Sequence, residues 1–227
     1  MSLSAKTITG AAYEKIKSDI LAGKYKPGQR LLEKELSEDL EVSRTPIRDA
    51  LVRLEEEGLV TMKPHRGVFV RKLTRKDIQD YYQTRAVLEG LGAQLAANHI
   101  TDEAKVILQD YMKKMESILS AERNEDDKAI VDVNDDFHSY IFQLADNAIL
   151  DKMRRTLASP IALIRSTSWI NKERKYEVFQ EHIEITEAIL NKDPVLAKER
   201  AEEHIYKAWQ SAERNLDHLP KDEEGDG

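Results

Sequence analysis

The sequence predicts a mainly α-helical protein: a small N-terminal helix-turn-helix unit carrying a two-stranded hairpin, then an antiparallel bundle of about six helices. Three observations carry this expectation. Between Leu32 and Lys72 a short helical repeat, a break, a second helical repeat and two short β runs follow one another. From Thr74 to Asp217 nearly every segment has a helical apolar period, interrupted only by short polar stretches. The charge is also segregated along the chain. Residues 1–73 hold 14 Lys and Arg against 11 Asp and Glu, a net of +3, and the remainder holds 21 against 31, a net of −10.

Taken in order, residues 1–10 read as a loose arm. Tyr13 to Ala22 reads as a first helix with Ile16, Ile20 and Leu21 on one side, ended by Gly23. Tyr25-Lys26-Pro27-Gly28 is a turn. Glu33 to Leu40 gives a short helix with Leu36 and Leu40 one turn apart. Glu41-Val42-Ser43 breaks it, and Ser43 is an N-cap whose hydroxyl is expected to accept from free N–H groups of the next helix. Pro46 falls in the first turn of that helix, where its missing donor costs nothing. Ile47, Leu51 and Leu54 repeat at helical spacing, and Gly58 stops the helix where a left-handed residue is needed. Leu59-Val60-Thr61-Met62 and Val68-Phe69-Val70 are β runs around the tip Pro64-His65-Arg66-Gly67.

That order is a winged helix-turn-helix. Its second helix has the length that fits a major groove, and its wing can reach neighbouring phosphates or the minor groove. Arg44 and Arg48 lie four apart, so they share one face of that helix. Arginine pairs bidentately with guanine edges and binds phosphates, which suits DNA.

The run ELSEDLEVSRTPIRDALVRLEEEGLV, followed by a basic wing ending in Gly67, resembles the DNA-binding domain of the GntR family of bacterial transcription regulators. By that resemblance the DNA-contacting positions are Lys34, Ser43, Arg44, Thr45 and Arg48, with His65, Arg66 and Gly67 in the wing. The resemblance, not the periodicity, supplies that set.

At 227 residues the chain has length for one large or two small domains with a real core. It contains no cysteine, which excludes disulfides and thiolate metal sites. No apolar run approaches the ~20 residues that span a bilayer, and MSLSAKTITG lacks the apolar core of a signal peptide. A cytoplasmic protein without a membrane partner is expected. The formal charge of −7 at first argues against nucleic acid. Its segregation reverses that: an acidic body repels DNA and leaves the basic head to bind it. A net of +3 is modest for one head, so a homodimer presenting two heads to two half-sites is expected.

Thr74-Arg75-Lys76-Asp77 is a capping box. Helices are expected over 74–99, 102–123, 126–145, 148–170, 173–191 and 194–216, the last opened by Pro194. Short connections make them an antiparallel bundle. The expected division is therefore a DNA-binding domain over 1–73, a helical effector-binding domain over 74–218 and a disordered acidic tail, LPKDEEGDG, over 219–227.

Several apolar stripes of the bundle are interrupted by polar residues. Arg85 interrupts 74–99, Asn134 and His138 interrupt 126–145, Arg165 interrupts 148–170, His182 interrupts 173–191 and His204 interrupts 194–216. A buried charge or imidazole needs a partner, since leaving it unpaired costs on the order of several kcal/mol. Three histidines and an asparagine on three helices can converge on one metal ion, and Asn134 and His138 have the i, i+4 spacing of chelation from one face. Such a donor set suits Zn²⁺ or Ni²⁺ and leaves a position for water or a ligand. Arg85 or Arg165 is placed to hold a carboxylate. His99 and His218 sit at helix ends and read as surface residues.

The runs YYQTRAVLEGLGAQLAA, NDDFHSYIFQLADN and EHIEITEAILNKDPVLAKERAEEHI resemble the helical ligand-binding (FCD) domain of the FadR-type branch of that family. What the resemblance implies is a metal held by Asn134, His138, His182 and His204, with Asn134 standing where the commonest residue is Asp. It also implies a regulator of operator DNA controlled by a small organic acid. Two alternatives stand beside it. One is a metal-dependent hydrolase with an appended DNA-binding head, against which Glu181 and Glu203, directly preceding their histidines, point well away from them on a helix. The other is a regulator whose histidines bind the acid without metal.

Overall fold

The computed structural model describes residues 8–120, 127–167 and 172–216. Among these, the chain opens with α1 (Ile8–Leu21), β1 (Arg30–Leu31), α2 (Glu33–Asp39), α3 (Arg44–Glu56), β2 (Val60–Lys63) and β3 (Gly67–Val70). Six longer helices follow: α4 (Arg75–His99), α5 (Asp102–Ser120), α6 (Asp127–Leu144), α7 (Ala148–Thr167), α8 (Lys172–Leu190) and α9 (Pro194–Leu216). The winged helix-turn-helix and the helical bundle expected from the pattern are both present. The expected helix ends at 123 and 170, His218 and the tail from 219 lie outside the described residues.

Local chemistry explains most boundaries. Gly58 takes φ +72° after α3, and the N–H groups of Gly58 and Leu59 reach back to the carbonyls of Glu55 and Leu54 at 2.9 Å each. At the start of α4, Thr74 N donates to Asp77 Oδ2 at 2.9 Å while Asp77 N donates to Thr74 Oγ1 at 3.1 Å, a reciprocal capping box. Ser43 differs from expectation. It occupies the N-cap of α3, yet its side chain makes no capping hydrogen bond. A capping hydroxyl accepts from the second or third helical N–H, and the third is Pro46, which has none. The first helix also begins earlier than expected, at Ile8. Ala12 and Tyr13 are buried against the core, and that packing draws the preceding turn into the helix.

The hairpin of β2 and β3 turns at His65 (φ +60°) and Gly67 (φ +102°), with Thr61 opposite Phe69 and Met62 opposite Val68. The two residues of β1 add a third antiparallel strand, giving the order β1-β3-β2. A two-residue strand has no period for a sequence to display, which is why only the hairpin was expected.

The chain divides into two compact units. The first runs to Ile78 and takes in α7 from Thr156; the second starts at Gln79 and holds the rest of the bundle. Pro160 lies inside α7, so that helix lacks the bond from position 160 to the carbonyl of Thr156, the residue at which the division falls. In the first unit Ile16, Ile20, Leu36, Ile47, Leu51, Leu54, Val60, Val70 and Leu163 form one core. A polar knot lies beside it. Lys17 donates to Glu57 at 2.6 Å and to Ser159 at 3.0 Å, Ser159 donates to Glu57 at 2.7 Å, and the Tyr13 hydroxyl also donates to Glu57.

The second unit is built on Ala93, Ala96 and Ala97 of α4, Leu108 of α5, Phe137 and Ile141 of α6, Ile185 and Ile189 of α8, and Ala197 and Ala201 of α9. The small residues on α4 and α9 allow close approach: a Cβ on Gly90 would stand 2.7 Å from Cγ of Glu202. That core fixes which faces of α6, α8 and α9 turn inward, and with them the histidines.

Candidate functional site

Two constellations are candidates. On the first unit, Ser43, Arg44, Thr45 and Arg48 are all exposed on and just before α3, and Lys34 is exposed on α2. His65 and Arg66 project at the wing tip, with Gly67 half-buried behind them. Two of the cations have acidic neighbours: Arg48 Nε lies 2.7 Å from Glu33 Oε2, and Lys34 Nζ lies 3.8 Å from Glu38. Exposed pairs of this kind are worth ~0–1 kcal/mol and exchange readily for a phosphate.

The second constellation is internal. His138 on α6, His182 on α8 and His204 on α9 are 5%, 0% and 4% exposed. One ring nitrogen from each lies within 4.8 Å of the others. His138 and His204 stack with centroids 5.2 Å apart, and His182 stands 5.1 Å and 4.8 Å from them. Nε2 of His138 and both ring nitrogens of His182 are buried without a hydrogen-bond partner. Buried polar atoms are normally satisfied. Three imidazoles, each offering one ring nitrogen within 4.8 Å of the other two, with no thiolate and no carboxylate in the set, have the chemistry of a site for a borderline dication such as Zn²⁺ or Ni²⁺.

Two carboxylates that sequence reasoning missed complete the arrangement. Glu89 on α4 is buried, its Oε2 3.0 Å from Nδ1 of His138, and its other oxygen accepts from Arg85 Nε at 3.2 Å. Glu181 on α8 is buried, its Oε2 2.7 Å from Nδ1 of His204, and Arg174 grips both its oxygens at 2.5 and 3.0 Å. Glu181 does turn away from its sequence neighbour His182, as helical geometry requires, and meets the histidine of the next helix instead. A signal existed: Arg85 with Glu89 at i, i+4 and Arg174 with Glu181 at i, i+7 each put opposite charges on one inward face.

Burial favours the neutral form of His182 and His204. Burial pushes His204 down to about 4, helped by His138 and only partly opposed by its bond to Glu181. Burial likewise drives His182 well below the ordinary imidazole value, and the neighbouring histidines act the same way. Burial works to raise the carboxyl of Glu89, but His138 and Arg85 outweigh it and hold the group far below its usual range. Glu181 follows the same pattern, with His204 and Arg174 overcoming burial. Neutral imidazoles are the form that ligates.

The other expected residues are placed as follows. Asn134 is half-buried on α6, one turn before His138, and its Nδ2 donates to Asp135 at 3.1 Å. Arg165 is half-buried on α7 and groups with the first unit, whereas Arg85 belongs to the second with the histidines. His99 is exposed at the end of α4, as expected. A groove of about 470 Å³ lies along α4 and α9, lined by Tyr82, Val87, Tyr206 and Trp209. Glu202 and Glu203 also line it and make it unfavourable for an anion.

Comparison with known proteins gives this geometry a family. Residues 80–207 match the FCD domain, and residues 8–70 match the bacterial regulatory proteins of the gntR family. The chain belongs to the GntR family, in its FCD branch. The Nta operon transcriptional regulator of Aminobacter aminovorans is similar, 30% identical over 168 residues that cover 74% of this chain and 77% of that protein. So is the uncharacterized HTH-type transcriptional regulator YdhC of Bacillus subtilis, 28% identical over 207 residues, 91% of this chain and 90% of its own. The solved structure of E. coli McbR/YncC has the same fold, with a TM-score of 0.76 at 23% identity over 92% of this chain and 99% of that one. This GntR-family chain is therefore a DNA-binding transcription regulator and not an enzyme, which removes the hydrolase reading. No helix among its described residues is long and apolar enough to cross a membrane.

Proposed function

We propose that this GntR-family regulator is a homodimer whose affinity for double-stranded operator DNA is set by a small organic acid bound at a metal ion in the FCD domain. The three buried imidazoles, with ligating nitrogens within 4.8 Å of one another, carry the reading. In it His138, His182 and His204 hold a divalent ion, zinc or nickel. Asn134 supplies a fourth donor through Oδ1, since its Nδ2 already serves Asp135. The ion supplies Lewis acidity and charge when bound. Every ligand is neutral, so the dication keeps its full charge and favours an anion at its remaining position. Arg85 is the arginine we assign to that anion's carboxylate. It is one turn from Glu89 on α4, and a guanidinium has five N–H groups, of which Nε–H serves Glu89.

On the head, we assign operator contacts to Lys34, Ser43, Arg44, Thr45, Arg48, His65, Arg66 and Gly67. Arg44 and Arg48 read bases and the wing meets backbone. The domains follow as 1–73 for DNA and 74–218 for the effector. Control of operator binding requires only that the acid bind the DNA-competent and incompetent states with different affinity.

The test is elemental analysis of chelator-free protein beside His204→Ala, followed by fluorescence anisotropy on an operator selected in vitro. About one equivalent of metal in the wild type and none in the variant is the expected result, with operator affinity moved by a metal-chelating carboxylate. Protein that neither contains nor takes up metal, yet still responds to an organic acid, would replace this reading with direct recognition by histidine and arginine.

A further inference from the structure

Metal ligation by histidine leaves one question the ligand set does not answer: which nitrogen of each ring faces the ion. The two buried carboxylates answer it. A carboxylate held by an arginine accepts, so a neutral imidazole bonded to it through Nδ1 carries its proton there, which leaves Nε2 with a bare lone pair. Nδ1 of His138 lies 3.0 Å from Glu89, and Nδ1 of His204 lies 2.7 Å from Glu181. Neither carboxylate is free to rotate away. Arg85 holds the other oxygen of Glu89, and Arg174 grips both oxygens of Glu181. His182 has no such support. Both its ring nitrogens lack a partner, and the ring is held by stacking on Phe137, with centroids 4.3 Å apart and planes inclined by 29°.

We infer that Glu89 and Glu181 are positioning residues that lock His138 and His204 into the Nδ1–H tautomer and aim their Nε2 atoms at a metal, while His182 is the adaptable third ligand. The inference rests on the metal reading above. Its content is a division of labour within one site: two Arg–Glu–His chains, from α4 to α6 and from α8 to α9, preset two ligands before any ion arrives. Partners of this kind fix ring orientation and raise ligand basicity, and losing one typically lowers metal affinity 10- to 100-fold.

The experiment has two arms on the full-length chain. In the first, long-range ¹⁵N–¹H correlation spectra of metal-free wild-type protein read the tautomer of each imidazole. Nδ1–H at both His138 and His204 is expected, and Nε2–H at either overturns the inference. In the second, zinc is titrated against a chromophoric chelator into wild type, Glu89→Gln, Glu181→Gln and the control Glu203→Gln. Glu203 is next to His204 in sequence and bonded to Arg200 and Lys207. Ten- to hundredfold weaker zinc binding in the first two variants and less than twofold change in the control is expected. Equal affinity in all four proteins overturns the inference, as does an equal loss in the control, which would mark a loss of charge rather than of position. If a variant fails to fold, the wild-type spectrum still decides. Wild-type protein that takes up no zinc refutes the metal reading of the previous section, and the spectrum then decides the tautomers independently.

Discussion

Replacing His182 by leucine should make the metal-free protein more stable and the metal response vanish. His182 is fully buried, and neither ring nitrogen has a hydrogen-bond partner. Each such orphan costs about 1–3 kcal/mol, so the two together hold roughly 2–6 kcal/mol of destabilisation in the metal-free state. Leucine is close to histidine in volume and would face Phe137, which now stacks on the imidazole. A shape change of this sort costs about 1–1.5 kcal/mol. The net expectation is a gain of roughly 0.5–5 kcal/mol, and at ~2–4 °C per kcal/mol for a chain of this size a rise of several degrees in melting temperature. Urea and thermal unfolding in a strong chelator, followed by far-UV circular dichroism, measure it directly. Zinc at a hundredfold excess over Kd should add about 2.7 kcal/mol to the wild type and nothing to the variant. A metal-free variant less stable than wild type by more than about 1 kcal/mol would refute the reasoning, because it would mean the imidazole contributes to the fold and not to ligation. Retained zinc stabilisation would refute it equally.

Three further outcomes follow from the same geometry. The metal-free protein should lose stability as pH falls from about 6.5 towards 4: His204 binds a proton in the unfolded chain near 6.5 but in the fold only at about 4. The stability is complete above the upper value and diminishes by up to about 3 kcal/mol at the lower one, with His182 acting in the same direction; urea midpoints between pH 8 and pH 4 in chelator report it, and a flat profile would contradict it. Arg44→Ala should weaken binding to a selected operator by about 10- to 100-fold with melting unchanged, since the side chain is exposed; full sequence-specific affinity by anisotropy would remove Arg44 from the contact set. Gly67→Ala should destabilise the head by about 1–3 kcal/mol, because φ is +102° and the new Cβ would lie 3.1 Å from Nε of Arg30; an unchanged unfolding midpoint would show that the wing relaxes without cost.

Much of the architecture was legible because it is local. Gly58 after the Ile47–Leu51–Leu54 stripe, the Thr74/Asp77 box and Pro194 at the head of α9 each act within one helical turn, and their physics is complete in a few residues. The stripes also picked out His138, His182 and His204 as inward-facing, because the position of a side chain on a helix follows from its number alone. Ser43 marks the limit of such reasoning: the cap residue was right, and Pro46 three places on denied it a donor. β1 was invisible because two residues form a strand only when β3 is there to pair with them.

What the sequence by itself determined, then, is the winged helix-turn-helix, the helix count and the inward face of each helix. Only the tertiary structure decided which polar groups on those faces meet. Glu89 finds His138 across 49 positions and Glu181 finds His204 across 23, distances over which no periodicity carries information. It also grouped the second half of α7 with the head. Period and capping are written residue by residue, whereas convergence depends on how α4, α6, α8 and α9 pack, which belongs to the core as a whole.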